Sequence, residues 1–119
     1  MLLAAQILTA LVLLIHVYIV LLETVLFKSR GRKVFGVAAG EIERLAPLMG
    51  NQGCYNAFLV AALVLGFAWP DASVAHAFTI YGLGCVAVAG LYGAMTVMVR
   101  ILYVQTVPAT LALVAWYMV

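Results

Sequence analysis

The chain has 119 residues, of which 68% are hydrophobic and 8% are charged, and its formal net charge is +2. Soluble domains carry about 25% charged residues, so this chain has too little polar surface to cover a water-facing globule. Composition therefore predicts an integral membrane protein whose main partner is the lipid bilayer. The basic residues do not alternate with aromatic residues, which argues against nucleic-acid binding. The two cysteines show no metal-ligand spacing, and no metal site is predicted.

The first apolar run covers residues 2–27. A hydrocarbon core about 30 Å thick needs about 20 apolar helical residues, so this run is long enough to cross it. A cleaved signal peptide would begin with positive charge, and this run has none before its apolar part, so we expect a retained transmembrane helix. Further spans are predicted at residues 50–69, 73–99 and 101–119, all within one integral membrane domain covering residues 1–119.

Basic residues indicate how these spans are oriented. The segment Lys28–Lys33, predicted to be a loop, and Arg44 together hold five of the six Lys and Arg residues, and Arg100 follows two membrane crossings later on the same side. The positive-inside rule places that side in the cytoplasm. The predicted fold is therefore all-α: a four-helix transmembrane bundle with both the N and C termini on the non-cytoplasmic side.

A polar face runs along the first helix. Thr9, His16 and Glu23 are seven residues apart, which is nearly two helical turns, so their side chains project from one face. We expect this face to point into the bundle, because polar groups facing lipid are costly. It serves either as a track for protons or a ligand, or only as a source of hydrogen bonds between helices. Glu23 lies near the helix end, within reach of the basic residues beyond it.

A second polar cluster lies at the mouth of the second helix. Residues 36–49 are interpreted as a re-entry segment on the cytoplasmic side, in which Pro47 starts or kinks the helix. Asn51 and Tyr55 are four residues apart on one face, and Gln52 and Asn56 share the adjacent face. Such groups usually face protein, ligand or a wet cavity, so half of a binding site is expected here.

The second half of the chain leaves more alternatives open. Tyr92 and Thr96, four residues apart in the third span, serve either a site or an interhelical hydrogen bond. Pro108 interrupts the last apolar segment. Either a turn precedes a span that begins near Arg100, or the third helix continues into Gln105 and the fourth restarts near Pro108. The second alternative leaves only about twelve residues for the last span, which is short.

Two motifs resemble those of the membrane-associated proteins in eicosanoid and glutathione metabolism (MAPEG). The second-helix motif of that family resembles E-R-x-x-R-x-x-x-N-x-x-E-Y. This chain has four of its residues at the same spacing: Glu43, Arg44, Asn51 and Tyr55. Pro47 stands in place of the second arginine of the motif, and Cys54 in place of its glutamate. The end of its third helix resembles R-x-x-Y-x-Q-x-Y. Arg100, Tyr103 and Gln105 match that pattern, and Val107 replaces the last tyrosine.

This resemblance implies four transmembrane helices in a homotrimer, with glutathione bound between subunits near the cytoplasmic face. Glutathione or a related thiol would then be the cosubstrate, and any enzymatic activity would be glutathione-transferase-like chemistry on a lipophilic substrate. That family binds glutathione through charged side chains. At three of those positions this chain has an uncharged residue, namely Pro47, Cys54 and Val114. Thiol activation needs a nearby cation or base, because the pKa of a free thiol is about 8.5.

The whole chain also resembles an uncharacterised family of small bacterial membrane proteins, domain of unknown function 1304. The residues that carry this resemblance extend over nearly its full length. They are His16-Val17-Tyr18 to Glu23, Gly31 to Gly36, Asn51-Gln52-Gly53 with Tyr55-Asn56, Tyr92-Gly93, Gln105 and Pro108-Ala109. The resemblance implies a multi-pass protein of the bacterial inner membrane and no particular reaction.

Three functions remain open at this point. The first is binding of a lipophilic or thiol-type small molecule at a cytoplasmic-side subunit interface, with Asn51 and Tyr103 near a common hollow shared by neighbouring copies. The second is a small transporter or channel subunit that uses the His16 and Glu23 face, and the third is a non-catalytic accessory subunit of a membrane complex. The predicted ligand-binding residues are Arg44, Asn51, Gln52, Tyr55, Asn56, Arg100, Tyr103 and Gln105; the predicted intramembrane polar residues are His16, Glu23, Tyr92 and Thr96.

Overall fold

Three long apolar helices, each long enough to cross a membrane, dominate the computed structural model, which describes all residues 1–119. They belong to a set of five α-helices joined by short turns. The five are α1 (Leu2–Glu23), α2 (Arg32–Val34), α3 (Ile42–Ala68), α4 (Ala72–Thr96) and α5 (Val107–Tyr117). Two π-helical turns, Phe27–Gly31 and Leu102–Thr106, and a 3₁₀ turn, Ala39–Glu41, complete the fold. The predicted all-α class is confirmed.

The helices pack as antiparallel neighbours in chain order. Helix α1 packs against α3 and α5, and α4 packs against α3, against α5 and against the second π-helical turn. The core contains Val12, Leu63, Leu83, Val86, Ala109 and Ala112. Most other large apolar side chains remain exposed, as expected where lipid rather than protein covers them.

Helix α3 begins earlier than predicted. It starts at Ile42 instead of near residue 50, and Pro47 lies inside it rather than starting it, so residues 42–49 form helix and not a re-entry segment. Exposed salt bridges accompany this polar start: Lys28 Nζ lies 3.1 Å from Glu43 Oε1, and Arg44 Nε donates to Glu41 Oε2 at 2.7 Å. The 27 residues of α3 span about 40 Å, which is longer than the hydrocarbon core and leaves the charged turns outside it.

The basic segment is helical, and the prediction of a loop is wrong. Helix α1 ends at Glu23, and the chain continues through the π-helical turn Phe27–Gly31 directly into α2. Gly31 is required here, because a Cβ at this position would clash with the backbone carbonyl of Leu22. Arg100 Nη2 donates to the backbone oxygen of Val34 at 2.6 Å. This bond confirms that Arg100 lies at the same end of the bundle as the basic segment.

The last segment follows the first of the two alternatives. Helix α4 ends at Thr96, a turn follows, and Leu102–Tyr117 forms one apolar helical stretch that includes α5. Pro108 is the second residue of α5 and follows directly on the π-helical turn Leu102–Thr106, so the irregular turn lies where the missing proline N–H interrupts the helical hydrogen bonds. This stretch is shorter than the three long helices. Its crossing of the membrane, and with it the four-span topology, remains a prediction.

The ends opposite the basic segment meet around one tryptophan. Trp116 Nε1 donates to Thr9 Oγ1 at 2.9 Å, and the Trp116 ring lies 5.3 Å from the His76 ring, centroid to centroid. At the turn between α3 and α4, Asp71 Oδ1 accepts from the Val74 N–H at 3.0 Å and caps α4. The beginning of α1 and the end of α5 therefore lie at the same end of the bundle.

A C-terminal fusion tests whether α5 crosses the membrane. If the protein has four spans and its basic end is cytoplasmic, its C terminus lies outside the bacterial inner membrane. Alkaline phosphatase fused after Val119 should then be active, and green fluorescent protein at the same site should not fluoresce. The reverse pattern, with bright fluorescence and an inactive phosphatase, would mean that α5 does not cross or that the basic end faces outward. A phosphatase fused after Lys33, expected to be inactive, is the matched control.

Gly90 is a close contact between α4 and the second π-helical turn. A Cβ at Gly90 would lie 2.7 Å from Gln105 Cβ and 2.8 Å from the backbone N of Thr106, whose hydroxyl donates to the Ala87 carbonyl at 3.0 Å. We therefore expect Gly90→Ala to destabilise the folded protein by about 1–3 kcal/mol through overpacking. Thermal unfolding in detergent micelles measures this change.

Gly84→Ala is the matched control for that substitution, because it lies on the same helix and a Cβ there would have no neighbour within 4 Å. Its melting temperature should equal or slightly exceed that of the wild type. An equal decrease in melting temperature for the two variants would contradict the close contact at Gly90.

Candidate functional site

The polar face of α1 points into the bundle, as predicted. Thr9, His16 and Glu23 are all buried, with 1%, 0% and 5% of their surface exposed. The Thr9 hydroxyl donates to the Ala5 carbonyl at 2.7 Å and accepts from Trp116 Nε1. This end of the face therefore joins α1 to α5 by a hydrogen bond between side chains.

His16 lies in the middle of this face, and only one of its two ring nitrogens has a hydrogen-bond partner. Its Nδ1 lies 3.1 Å from the Val12 carbonyl oxygen, and since a carbonyl only accepts, Nδ1 is the nitrogen that carries the proton. Nε2 is then an acceptor, and it is the one buried side-chain nitrogen or oxygen without a hydrogen-bond partner. An unpaired polar atom of this kind is uncommon in folded proteins.

Glu23 joins α1 to α3. Asn56 Nδ2 donates to Glu23 Oε1 at 2.6 Å. The helices come close because Gly53 has no side chain: a Cβ there would lie 2.5 Å from Thr24 Cγ2 and 3.2 Å from Glu23 Cβ. The expectation that Glu23 reaches the basic residues is wrong, because the carboxylate turns inward to this amide.

A groove of about 360 Å³ lies between α3 and α4, and Asn56 forms part of its wall. Seven of its nine lining residues are hydrophobic, and its amide groups come from α3, at the half of the groove nearer the basic end. The lining residues are Gln52, Tyr55, Asn56, Phe58, Leu59 and Ala62 from α3, and Tyr81, Cys85 and Ala89 from α4. The groove is open on one side.

Three predicted binding residues thus come together in the groove. Gln52 and Tyr55 are exposed there, and Asn56 is buried beside them. Tyr81 and Cys85 were missed as part of the site. They could have been identified from their spacing, because Tyr81, Cys85 and Ala89 are four residues apart on one face of α4.

The remaining α3 residues of the predicted site lie elsewhere. Arg44 is exposed at the charged start of α3 and pairs with Glu41. Asn51 is exposed and does not line the groove. The expected hollow near Asn51 was placed between neighbouring copies of the chain, so it remains a prediction.

The cluster at the end of the third span does not line the groove either. Arg100 is bonded to the Val34 carbonyl, Tyr103 is 66% exposed, and Gln105 lies beside Gly90. Tyr92 is 70% exposed, and the Thr96 hydroxyl donates to the Tyr92 carbonyl of its own helix at 2.8 Å. In this structure Thr96 therefore makes a local helical bond rather than an interhelical one.

No lysine or arginine lines the groove. Most of the basic side chains are already engaged at the basic end of the bundle: Lys28 with Glu43, Arg44 with Glu41, Arg100 with the Val34 carbonyl, and Arg30 with the Tyr18 hydroxyl. The groove therefore offers a ligand apolar surface and neutral hydrogen-bonding groups, without a formal positive charge.

Comparison with known proteins agrees with one of the two resemblances. No curated protein and no solved structure matches the chain, and the similarity to the MAPEG proteins is not supported by any match. The family described as protein of unknown function DUF1304 matches residues 10–117, which is nearly the whole chain. The chain therefore belongs to the DUF1304 family, as a small helical membrane protein.

Proposed function

We propose that this protein binds a neutral lipophilic small molecule, taken up from the bilayer, in the groove between α3 and α4. The observation that carries the proposal is the groove itself, with seven hydrophobic residues among nine and its amide groups on one helix. Ligand sites in proteins typically combine apolar walls with a few placed polar groups. An open side toward lipid gives an apolar molecule a route that does not pass through water.

The length of the groove suits an elongated ligand. Gln52 and Ala62 mark its extent along α3, and ten residues of helix correspond to about 15 Å. That is about half of the hydrocarbon core, so a ligand would lie within one leaflet. Its polar group would meet Gln52, Tyr55 and Asn56 on the side nearer the charged start of α3, and its apolar part would pack on Phe58, Leu59 and Ala62.

The groove favours a neutral ligand over glutathione. Glutathione is anionic, and no cation lines the groove within one chain. A thiol ligand would need Arg32, Lys33 or cations of a neighbouring copy to reach it. The proposal is therefore confined to binding, and it includes no catalytic step.

Assembly and orientation belong to the proposal as well. A second copy packed over the open side of the groove would enclose the ligand, and the MAPEG resemblance favours a homotrimer. The basic end is proposed to face the cytoplasm from the bacterial inner membrane, because all six Lys and Arg residues lie between Lys28 and Arg100 at that end.

One observation favours proton transport as a second candidate function. Nε2 of His16 is a buried, unpaired acceptor, and Glu23 lies on the same face of α1. Ionisable groups inside membranes often mark proton pathways. Against this candidate, Thr9 and Glu23 are both hydrogen-bonded to neighbouring helices. Neither the α3–α4 groove nor the groove beside Trp116 is lined by Glu23 or His16.

Photoaffinity labelling, combined with a substitution that fills the groove, tests the binding proposal. The probe is a long-chain alcohol that carries a photoreactive diazirine, with protein reconstituted in phosphatidylcholine vesicles. We expect labelling of peptides from α3 and α4 that excess unlabelled dodecanol suppresses. Ala89→Phe should abolish this saturable labelling, because Ala89 lines the groove.

Val88→Phe is the matched control, since Val88 is the adjacent residue, is 69% exposed and does not line the groove. It should label like the wild type. Labelling that is spread evenly over all helices, or that dodecanol does not suppress, would refute groove binding.

A flux assay separates the second candidate from the first. A proton pathway predicts that the protein dissipates a pH gradient across liposomes and that Glu23→Gln abolishes this flux. Glu41→Gln, at the charged start of α3, should leave it unchanged. Vesicles that hold their gradient with wild-type protein in both orientations would eliminate this candidate.

A further inference from the structure

Asn56 takes part in both a helix interface and the groove. Its Nδ2 donates to Glu23 Oε1 across the α1–α3 interface, while the residue also lines the groove between α3 and α4. Its Oδ1 has no hydrogen-bond partner within the protein. Since His16 Nε2 is the one fully buried unpaired side-chain nitrogen or oxygen, Asn56 Oδ1 must retain accessible surface, and the cavity that Asn56 lines is the groove.

Glu23 fixes which end of the amide faces the groove. A carboxylate only accepts hydrogen bonds, so it must be met by the Nδ2 end of Asn56 and not by Oδ1. If the amide were rotated by 180°, Asn56 Oδ1 would face the Glu23 carboxylate, and both groups are acceptors. An unpaired polar group costs most free energy in a buried site such as this one. With Nδ2 held by Glu23, Oδ1 is left as the free acceptor of a residue that lines the groove.

From this arrangement we infer that the groove selects lipophiles carrying a hydroxyl group, with Asn56 as the specificity-determining residue and Glu23 as its positioning residue. The inference rests on the proposed function and names the ligand class for the same groove. A hydroxyl donates to Asn56 Oδ1 and can accept in turn from the Tyr55 hydroxyl or the Gln52 amide. Neither of those side chains has a hydrogen-bond partner within the chain. An ether or a ketone lacks the donor and leaves Oδ1 unmet.

A matched pair of probes tests this selection. The diazirine-bearing alcohol is compared with its methyl ether, which has the same chain but no donor, in phosphatidylcholine vesicles at equal membrane concentration. The saturable labelling of α3 and α4 peptides should be about three- to tenfold higher for the alcohol, as expected for one neutral hydrogen bond.

The Glu23→Gln variant tests the positioning role. The new amide can meet either end of Asn56, so Oδ1 is no longer always left as the free acceptor, and the alcohol-to-ether ratio should fall toward one. Glu43→Gln is the matched control, because Glu43 pairs with Lys28 at the charged start of α3, outside the groove. Its ratio should equal that of the wild type. Melting temperatures confirm that each variant is folded.

The outcomes separate this inference from the binding proposal. Equal saturable labelling by the two probes in the wild type would overturn the selection while leaving groove binding intact. Preference for the ether would also overturn the selection, because a hydroxyl both donates and accepts and should bind at least as well as an ether wherever Asn56 Oδ1 is free to accept. A ratio that Glu23→Gln leaves unchanged would overturn the role of Glu23. Absence of saturable labelling by either probe would overturn groove binding itself.

Discussion

In a bilayer, a carboxyl group on a spanning helix is stable only where another polar group meets it, and for Glu23 that group is the amide of Asn56. The contact is possible because Gly53 lets the two helices approach at this level. Lipid supplies little hydrophobic driving force between helices, so close packing and such bonds set their arrangement. The relative position of α1 and α3 depends on this pair, and with it the wall of the groove on the other side of α3.

The same side chain therefore connects the inside of the bundle to its lipid-facing surface. Asn56 bonds Glu23 of α1 and also lines the groove that α3 forms with α4. The bundle core holds these helices through tight apolar contacts, such as Gly82 of α4 against Leu63 of α3. A groove built on two long packed helices is more rigid than one built on loops, which suits selection between ligands that differ by one donor.

Some of this arrangement could be predicted from the sequence. The seven-residue spacing of Thr9, His16 and Glu23 correctly indicated a buried face, because helical periodicity fixes which side chains of one helix point together. It could not indicate which helix meets that face, so Glu23 was expected near the basic residues and instead bonds Asn56. The start of α3 was also misplaced, because Pro47 suggested a helix boundary. The helix extends upstream of Pro47 to Ile42, beside the exposed salt bridges of Glu41 and Glu43. The residues of α4 in the groove were missed although Tyr81, Cys85 and Ala89 share one helical face, because that spacing does not indicate whether the face meets lipid or another helix.

The most direct test of this account is a double-mutant cycle on Glu23 and Asn56, with unfolding free energies measured in micelles for wild type, Glu23→Leu, Asn56→Leu and the double variant. If the pair holds α1 to α3, each single substitution leaves a buried polar group unmet, and the double variant is more stable than the sum of the two losses predicts. We expect a coupling free energy of about 0.5–2 kcal/mol, the range of side-chain hydrogen bonds in membrane proteins. Strictly additive losses would show that the two residues act independently, and would contradict the account.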